Sequence, residues 1–183
     1  RFMIDSVALM TARGGHPSDM QSREFSWVDA DFDRVQKLIY QRAGISLHNG
    51  KHAMVYSRLS RRLRETGHKS FNEYLAWLES SDGPEWQEFI NALTTNLTSF
   101  FRENHHFDIF RKHLTLNKQR SKWRVWCCAA STGEEPYSIL MTAVEALGPH
   151  PSVSLIGSDI DSKVLSTAAR GVYRIENLKN ITD

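Results

Sequence analysis

Between Asp29 and about His113 the apolar positions recur at three- and four-residue spacing, the period of a helix that packs by one face. Phe32, Val35, Leu38 and Ile39 form the first stripe, with Asp31 placed as an N-cap and Gly44 as the stop. A second helix is predicted over 51–65, with Val55, Leu59 and Leu63 as its stripe and Gly67 just beyond it. Ser70 and Glu73 have capping-box spacing and open a third helix through Tyr74, Leu75 and Leu78. Pro84 suits the first turn of a fourth, which carries Trp86, Phe89, Ile90 and Leu93. A fifth, over 103–114, holds Phe107, Phe110 and Leu114 on one side.

The polar run Thr115–Lys122 marks a boundary, after which the period changes. "WRVWCC" has the pattern of a strand, "EEPYSILMTAVEAL" of a helix, "VSLIGSD" of a strand and "SKVLSTAARG" of a helix. That order implies parallel strands joined by crossover helices. The expected fold is therefore α/β: an all-α domain over 29–114, a linker over 115–122, and from 123 to 183 the start of a doubly wound, Rossmann-like sheet. Residues 1–28 show no sustained period and are expected to form a flexible arm, with a short helix near Ile4–Thr11. Two strands do not complete such a sheet, and the first residue is Arg, so the chain is expected to be an excerpt of a longer protein.

Composition narrows the class. With 183 residues, 40% hydrophobic and 24% charged, the chain suits one substantial core or two small ones. No apolar run reaches the roughly 18 residues that a membrane span needs, and the opening segment makes a poor secretory signal because Asp5 interrupts its short apolar patch. Cys127 and Cys128 are adjacent in a strand, where successive side chains point to opposite faces, so a disulfide between them is not expected and a cytoplasmic location is. A net charge of +2 does not mark a nucleic-acid binder.

The candidate chemistry lies in "VWCCAASTGEEPYSI", Val125 to Ile139, where the first strand turns into its helix. Doubly wound folds bind ligands at this place, beyond the carboxyl ends of the strands. A phosphate site would offer bare N–H groups at the helix start, whereas this turn carries Glu134 and Glu135. Two like charges about 4 Å apart repel by about 4 kcal/mol at an effective dielectric near 20, so a cationic ligand is favoured over a phosphate. S-adenosylmethionine brings an ammonium and a sulfonium. Ala129, Ala130 and Gly133 would let the backbone approach it closely, and Asp159, at the end of the second strand, is placed to accept from both ribose hydroxyls. The competing explanation is capping: Ser131–Glu134 and Thr132–Glu135 both have capping-box spacing, and Asp159 and Asp161 are both cap candidates. The pairing of acids on consecutive strand ends favours binding.

Three stretches, "NALTTNLTSFFRENHHF", "RVWCCAASTGEEPYSI" and "SDIDSKVLSTAARGVYR", resemble the chemotaxis receptor methyltransferases, the CheR family, and "LIYQRAGISL" with "MVYSRLSRRLR" resembles that family's N-terminal domain. The resemblance implies methyl transfer from S-adenosylmethionine to glutamate side chains of bacterial chemoreceptors, leaving S-adenosylhomocysteine and a γ-glutamyl methyl ester. It implies that Glu134 meets the methionyl part of the cofactor, that Asp159 holds the ribose, and that Asn96, Thr98 and Arg102 lie on a cofactor-facing loop, with Arg102 near the methionyl end as a candidate catalytic residue. Without the resemblance, Asn96 and Thr98 would be read as helix caps. Later strands, an asparagine-and-tyrosine segment and, in some members, a small receptor-gripping β-subdomain would lie past Asp183.

The second helix carries Arg58, Arg61 and Arg62 on one face and no acid before Glu65. That face is expected to be free to dock a partner, which the resemblance makes the acidic methylation helix of a methyl-accepting chemotaxis receptor. A non-catalytic adaptor that senses S-adenosylmethionine is the alternative. Nucleic-acid binding ranks lowest, because no aromatic residues interleave with the arginines. His105, His106 and His113 lack ligand spacing, so no metal site is expected.

Overall fold

The computed structural model describes residues 23–179 and 181. The short helix expected near Ile4–Thr11 lies outside the described residues.

Four helices build the first layer: α1 (Asp29–Ala43), α2 (His52–Thr66), α3 (Phe71–Glu79) and α4 (Glu85–Leu93). A single 3₁₀ turn, Asn49–Lys51, leads into α2. The apolar stripes read from the sequence meet in one core, where Val35, Ile39, Val55, Leu59, Leu63 and Leu75 are fully buried. Each such side chain contributes about 1.5–3 kcal/mol relative to exposure. Two readings near the chain start change. Asp31 is not the N-cap of α1: the helix begins two residues earlier, and the Asp31 carboxylate accepts from the Val28 N–H at 3.1 Å. Residues 23–28 do not form a loose arm either, because Phe25 is buried edge-on against Phe71 and Trp27 packs on the same ring. Ser70 caps α3 as expected, accepting from the Glu73 N–H, whereas the Glu73 carboxylate takes the Lys69 N–H.

The second layer contains α5 (His105–Leu116), β1 (Trp123–Cys127), α6 (Glu134–Leu147), β2 (Val153–Gly157) and α7 (Ser162–Arg170). The strands pair in parallel, with Trp123 opposite Val153 and Cys127 opposite Gly157. Alternation along β1 sends Trp123 and Cys127 inward while Arg124 and Trp126 face out. The fifth helix belongs to this layer: Leu114 shares a core with Trp123, Ala143 and Ala146, so α5 and α6 together cover one face of the strand pair. Sequence period alone had grouped α5 with the helices before it, since a helix stripe does not say which partner it packs against.

The layers meet where α4 runs past the start of α7. Gln87 donates to the Ile160 carbonyl at 2.9 Å, Asn91 bonds the Ser162 backbone and hydroxyl, and Lys163 pairs with Glu88. This seam fixes the loop after α4 beside the carboxyl ends of both strands.

Candidate cofactor site

The turn after β1 is tight and built on its backbone. Ala130 N–H donates to the Ser158 carbonyl and Gly133 N–H to the Ala130 carbonyl, both at 2.9 Å. Ser131 has φ 47° and Gly133 φ 102°, both left-handed. Glycine is required at 133 for a second reason: a Cβ there would lie 2.4 Å from the Tyr173 hydroxyl and 2.9 Å from Ala168 Cα. Neither capping box forms. Helix α6 has no side-chain cap, and Thr132 Oγ1 donates instead to the Glu134 carboxylate at 2.5 Å.

The two glutamates divide. Glu134 is buried, while Glu135 is exposed and lines the cleft beside the turn. Tyr173 stands next to Glu134, its hydroxyl donating to the Thr132 carbonyl at 2.8 Å. Burial, and then the Glu134 charge, push the Tyr173 phenol up to about 12. Cys127 closes the other side: its thiol lies 3.4 Å from a Glu135 oxygen and is pushed up to about 11, chiefly by burial.

The acids after β2 also divide. Asp161 caps α7, accepting from the Lys163 N–H at 2.9 Å. Asp159 caps no helix. Its Oδ2 accepts from the Ser131 N–H at 2.8 Å and its Oδ1 from the Asp161 N–H at 2.9 Å. One carboxylate thus spans both turns, with lone pairs left on each oxygen for a diol.

Residues 94–104 form a non-helical loop that closes the cleft, so neither Asn96 nor Thr98 caps a helix. Asn96 turns its amide onto Asp161 at 2.6 Å, while Thr98 lines the cleft. Arg102 lies between Phe101 and Glu103, both left-handed at φ 51° and 55°. It donates to the Leu97 carbonyl at 2.7 Å. Such backbone persists only where the surroundings hold it, and here the Phe101 N–H bonds Ser138 Oγ and the Phe100 ring stands edge-on to Tyr173. The cleft, about 620 Å³, brings together Thr98, Arg102, Ala129, Ser131, Glu135 and Asp159. Its size suits a nucleoside-sized ligand. Of the expected cofactor residues, Asn96, Thr98, Arg102 and Asp159 line it, and Ala130 and Glu134 lie packed beneath the turn.

The arginine face of α2 is not free as expected. Arg62 is nearly buried and forms a two-pronged pair with Glu85 at 2.9 and 2.6 Å, with Glu65 and Glu88 alongside. The Glu85 bond raises its pKa further. Arg58 donates to the Ala92 and Thr94 carbonyls at the end of α4. Acids that α2 lacks are supplied by α4, a contact invisible in local sequence. Arg61, with 73% of its side chain exposed and a bond to Glu65, faces solvent.

A helical layer seated on a βαβ unit, with an acidic bridge across the strand ends, defines the class: an α/β domain of the kind that places its ligand site at the carboxyl ends of its strands. The chain belongs to the CheR methyltransferase family. Residues 30–94 match the model of the CheR methyltransferase all-alpha domain, and residues 96–183 match that of the CheR methyltransferase SAM binding domain. The chain is 54% identical over 156 residues to a chemotaxis protein methyltransferase of Escherichia coli, covering 84% of this chain and 54% of that protein. It is 49% identical over 162 residues to chemotaxis protein methyltransferase 2 of Pseudomonas aeruginosa, covering 87% of this chain and 58% of that one. A Borreliella burgdorferi chemotaxis protein methyltransferase is 35% identical over 162 residues, 82% of this chain and 57% of that protein. The chain thus spans about half the length of the curated relatives it matches.

Proposed function

We propose that this chain binds S-adenosylmethionine in a cytoplasmic protein-glutamate O-methyltransferase that esterifies glutamate side chains of methyl-accepting chemotaxis receptors. The observation that carries the reading is the Asp159 carboxylate, held at the strand ends by the Ser131 and Asp161 N–H groups with acceptor capacity to spare for the two ribose hydroxyls. Glu134 and Glu135 supply negative charge where the methionyl ammonium and sulfonium would lie, and Thr98 and Arg102 face the same cleft. The two cysteines, both free thiols, fit a reducing compartment.

When bound, the cofactor supplies a methyl group activated by its positive sulfur. A substrate carboxylate, ionised near pH 7 because its ordinary pKa is about 4.3, would accept that methyl as an ester with S-adenosylhomocysteine as the leaving group, so this chain's residues would need to move no proton. The chain's task is alignment and exclusion of water rather than acid–base chemistry. Arg102, exposed in the cleft lining, is placed to draw in and orient an anionic side chain. Docking of an acidic receptor helix falls mainly to Arg61, because Arg58 and Arg62 are engaged within the fold and shape the surface around it. The intact protein, given radiolabelled cofactor and receptor-bearing membranes, should place alkali-labile label on receptor glutamates. Absence of label under conditions where the cofactor binds would reject receptor methylation.

A further inference from the structure

A second groove, about 370 Å³, lies between α2, α4 and the start of α7. Arg58, Arg61, Arg62 and Glu65 line it from α2, Glu88 from α4 and Lys163 from α7. Thr94 and Asn96 line both this groove and the cofactor cleft, so the two join there. A segment seated in the groove therefore has a path for one side chain into the cleft.

The charges in the groove are unevenly matched. Arg62 is neutralised by Glu85 on α4. Arg58 gives its guanidinium to the Ala92 and Thr94 carbonyls, which carry no net charge, so its positive charge stays uncompensated. Arg61 shares the Glu65 carboxylate with Arg62. Glu88 lies 3.6 Å from Arg62 and pairs with Lys163, which is 58% exposed. An ion pair this open to water contributes little to stability. The seam does not depend on it, because Gln87 and Asn91 already bond Ile160 and Ser162. Lys163 and Glu88 thus stand at an open groove with little structural work of their own.

We propose that Lys163 is a second docking residue for an acidic helix, supplied by the α/β layer, and that Glu88 is an internal competitor that holds Lys163 until a partner carboxylate takes its place. The inference rests on the receptor-methylation reading above and extends the docking surface beyond α2. Carboxylates three or four residues apart on a helix share one face, and such a face meets Arg61 from one layer and Lys163 from the other. A polynucleotide fits less well: two carboxylates stand in the groove, and among the described residues no aromatic side chain lines it for base stacking.

The direction of two substitutions separates docking from a mere staple across the seam. As a staple, Lys163→Gln and Glu88→Gln break the same bond and act in the same direction. As docking cation and competing anion, they act in opposite directions. Methylation kinetics of the intact protein, with radiolabelled cofactor and receptor-bearing membranes, should give a receptor KM raised at least about threefold in Lys163→Gln and lowered at least about twofold in Glu88→Gln, with kcat little changed. Calorimetric affinity for S-adenosylhomocysteine should stay within about twofold of wild type in both, showing that the fold and the cofactor site are intact. Both KM values rising, or either one staying at the wild-type value, would overturn the proposal. A wild-type protein that binds S-adenosylhomocysteine yet labels no receptor would overturn the receptor reading itself and the docking role with it.

Discussion

The Ser131 N–H and the Asp159 carboxylate, 28 residues apart in sequence, meet at 2.8 Å and join the turns at the ends of the two parallel strands. The bond requires Ser131 to hold its left-handed φ of 47°. A β-branched residue is an outlier in that region, whereas glycine adopts it readily. Ser131→Val should therefore lower the melting midpoint by several degrees and weaken S-adenosylhomocysteine binding. Ser131→Gly should keep the midpoint within about 2 °C while losing the Oγ bond to Asn96. Thermal melts and calorimetry on the two variants check this.

Gly133 allows the approach of the 168–173 segment to the turn. Gly133→Ala would press a methyl group against both the Tyr173 hydroxyl and the Ala168 backbone. Trimming the hydroxyl relieves only the first contact. The double variant Gly133→Ala/Tyr173→Phe should remain as destabilised in urea titration as Gly133→Ala. Recovery to wild-type stability would show that the hydroxyl alone sets the limit.

The Arg62–Glu85 pair bridges α2 and α4 inside the helical layer, and the buried Tyr74 hydroxyl donates to the same carboxylate at 2.8 Å. Removing Glu85 leaves the buried Tyr74 hydroxyl without its acceptor and Arg62 with only Glu65 and Glu88. Glu85→Ala should cost about 3 kcal/mol of unfolding free energy, near the lower end of what breaking a buried ion pair costs. Arg61→Ala, at an exposed site, should change stability little, yet lower kcat/KM for receptor methylation if Arg61 meets the receptor helix. Denaturant titration and methylation kinetics separate the two roles.

High pH should unfold this protein through three groups: the Tyr74 phenol, held protonated by burial and by the Glu85 carboxylate, and two others whose values lie lower. The Tyr173 phenol rises to about 12 and the Cys127 thiol to about 11, each above its ordinary value in an unfolded chain. Both are neutral when protonated, so the fold favours the protonated form. Their contribution is complete below about pH 8.5 for the thiol and about pH 10 for the phenol, the ordinary values of the two groups. It is lost as pH rises through the folded values of about 11 and 12. Stability measured from pH 8 to 12 should fall in that window, and Tyr173→Phe and Cys127→Ala should each flatten the decline.

Much of this fold is legible in the letters, and the exceptions share a cause. Helix stripes such as Val55, Leu59 and Leu63 depend on one period and one environment, and all three are buried as read. The Ser70 cap and the order of strand and helix after Trp123 are equally local. What the sequence misassigned depends on partners distant in the chain. Arg62 looks like a free basic residue until Glu85, 23 positions on, is folded against it. Asp161 looks like a cap until Asn96 arrives from 65 positions away. At the site itself, Asp159 was found by its place at a strand end, whereas Thr98 and Arg102 came only from the family resemblance, because a cofactor-facing loop has no period to betray it.

The acids at the two strand ends are proposed to hold S-adenosylmethionine. Calorimetry of S-adenosylhomocysteine with the intact protein and its Glu134→Gln and Asp159→Asn variants tests this most directly. Each substitution should weaken binding by at least about tenfold, or roughly 1.4 kcal/mol. Affinity unchanged in both variants would contradict it and leave these acids a purely structural role.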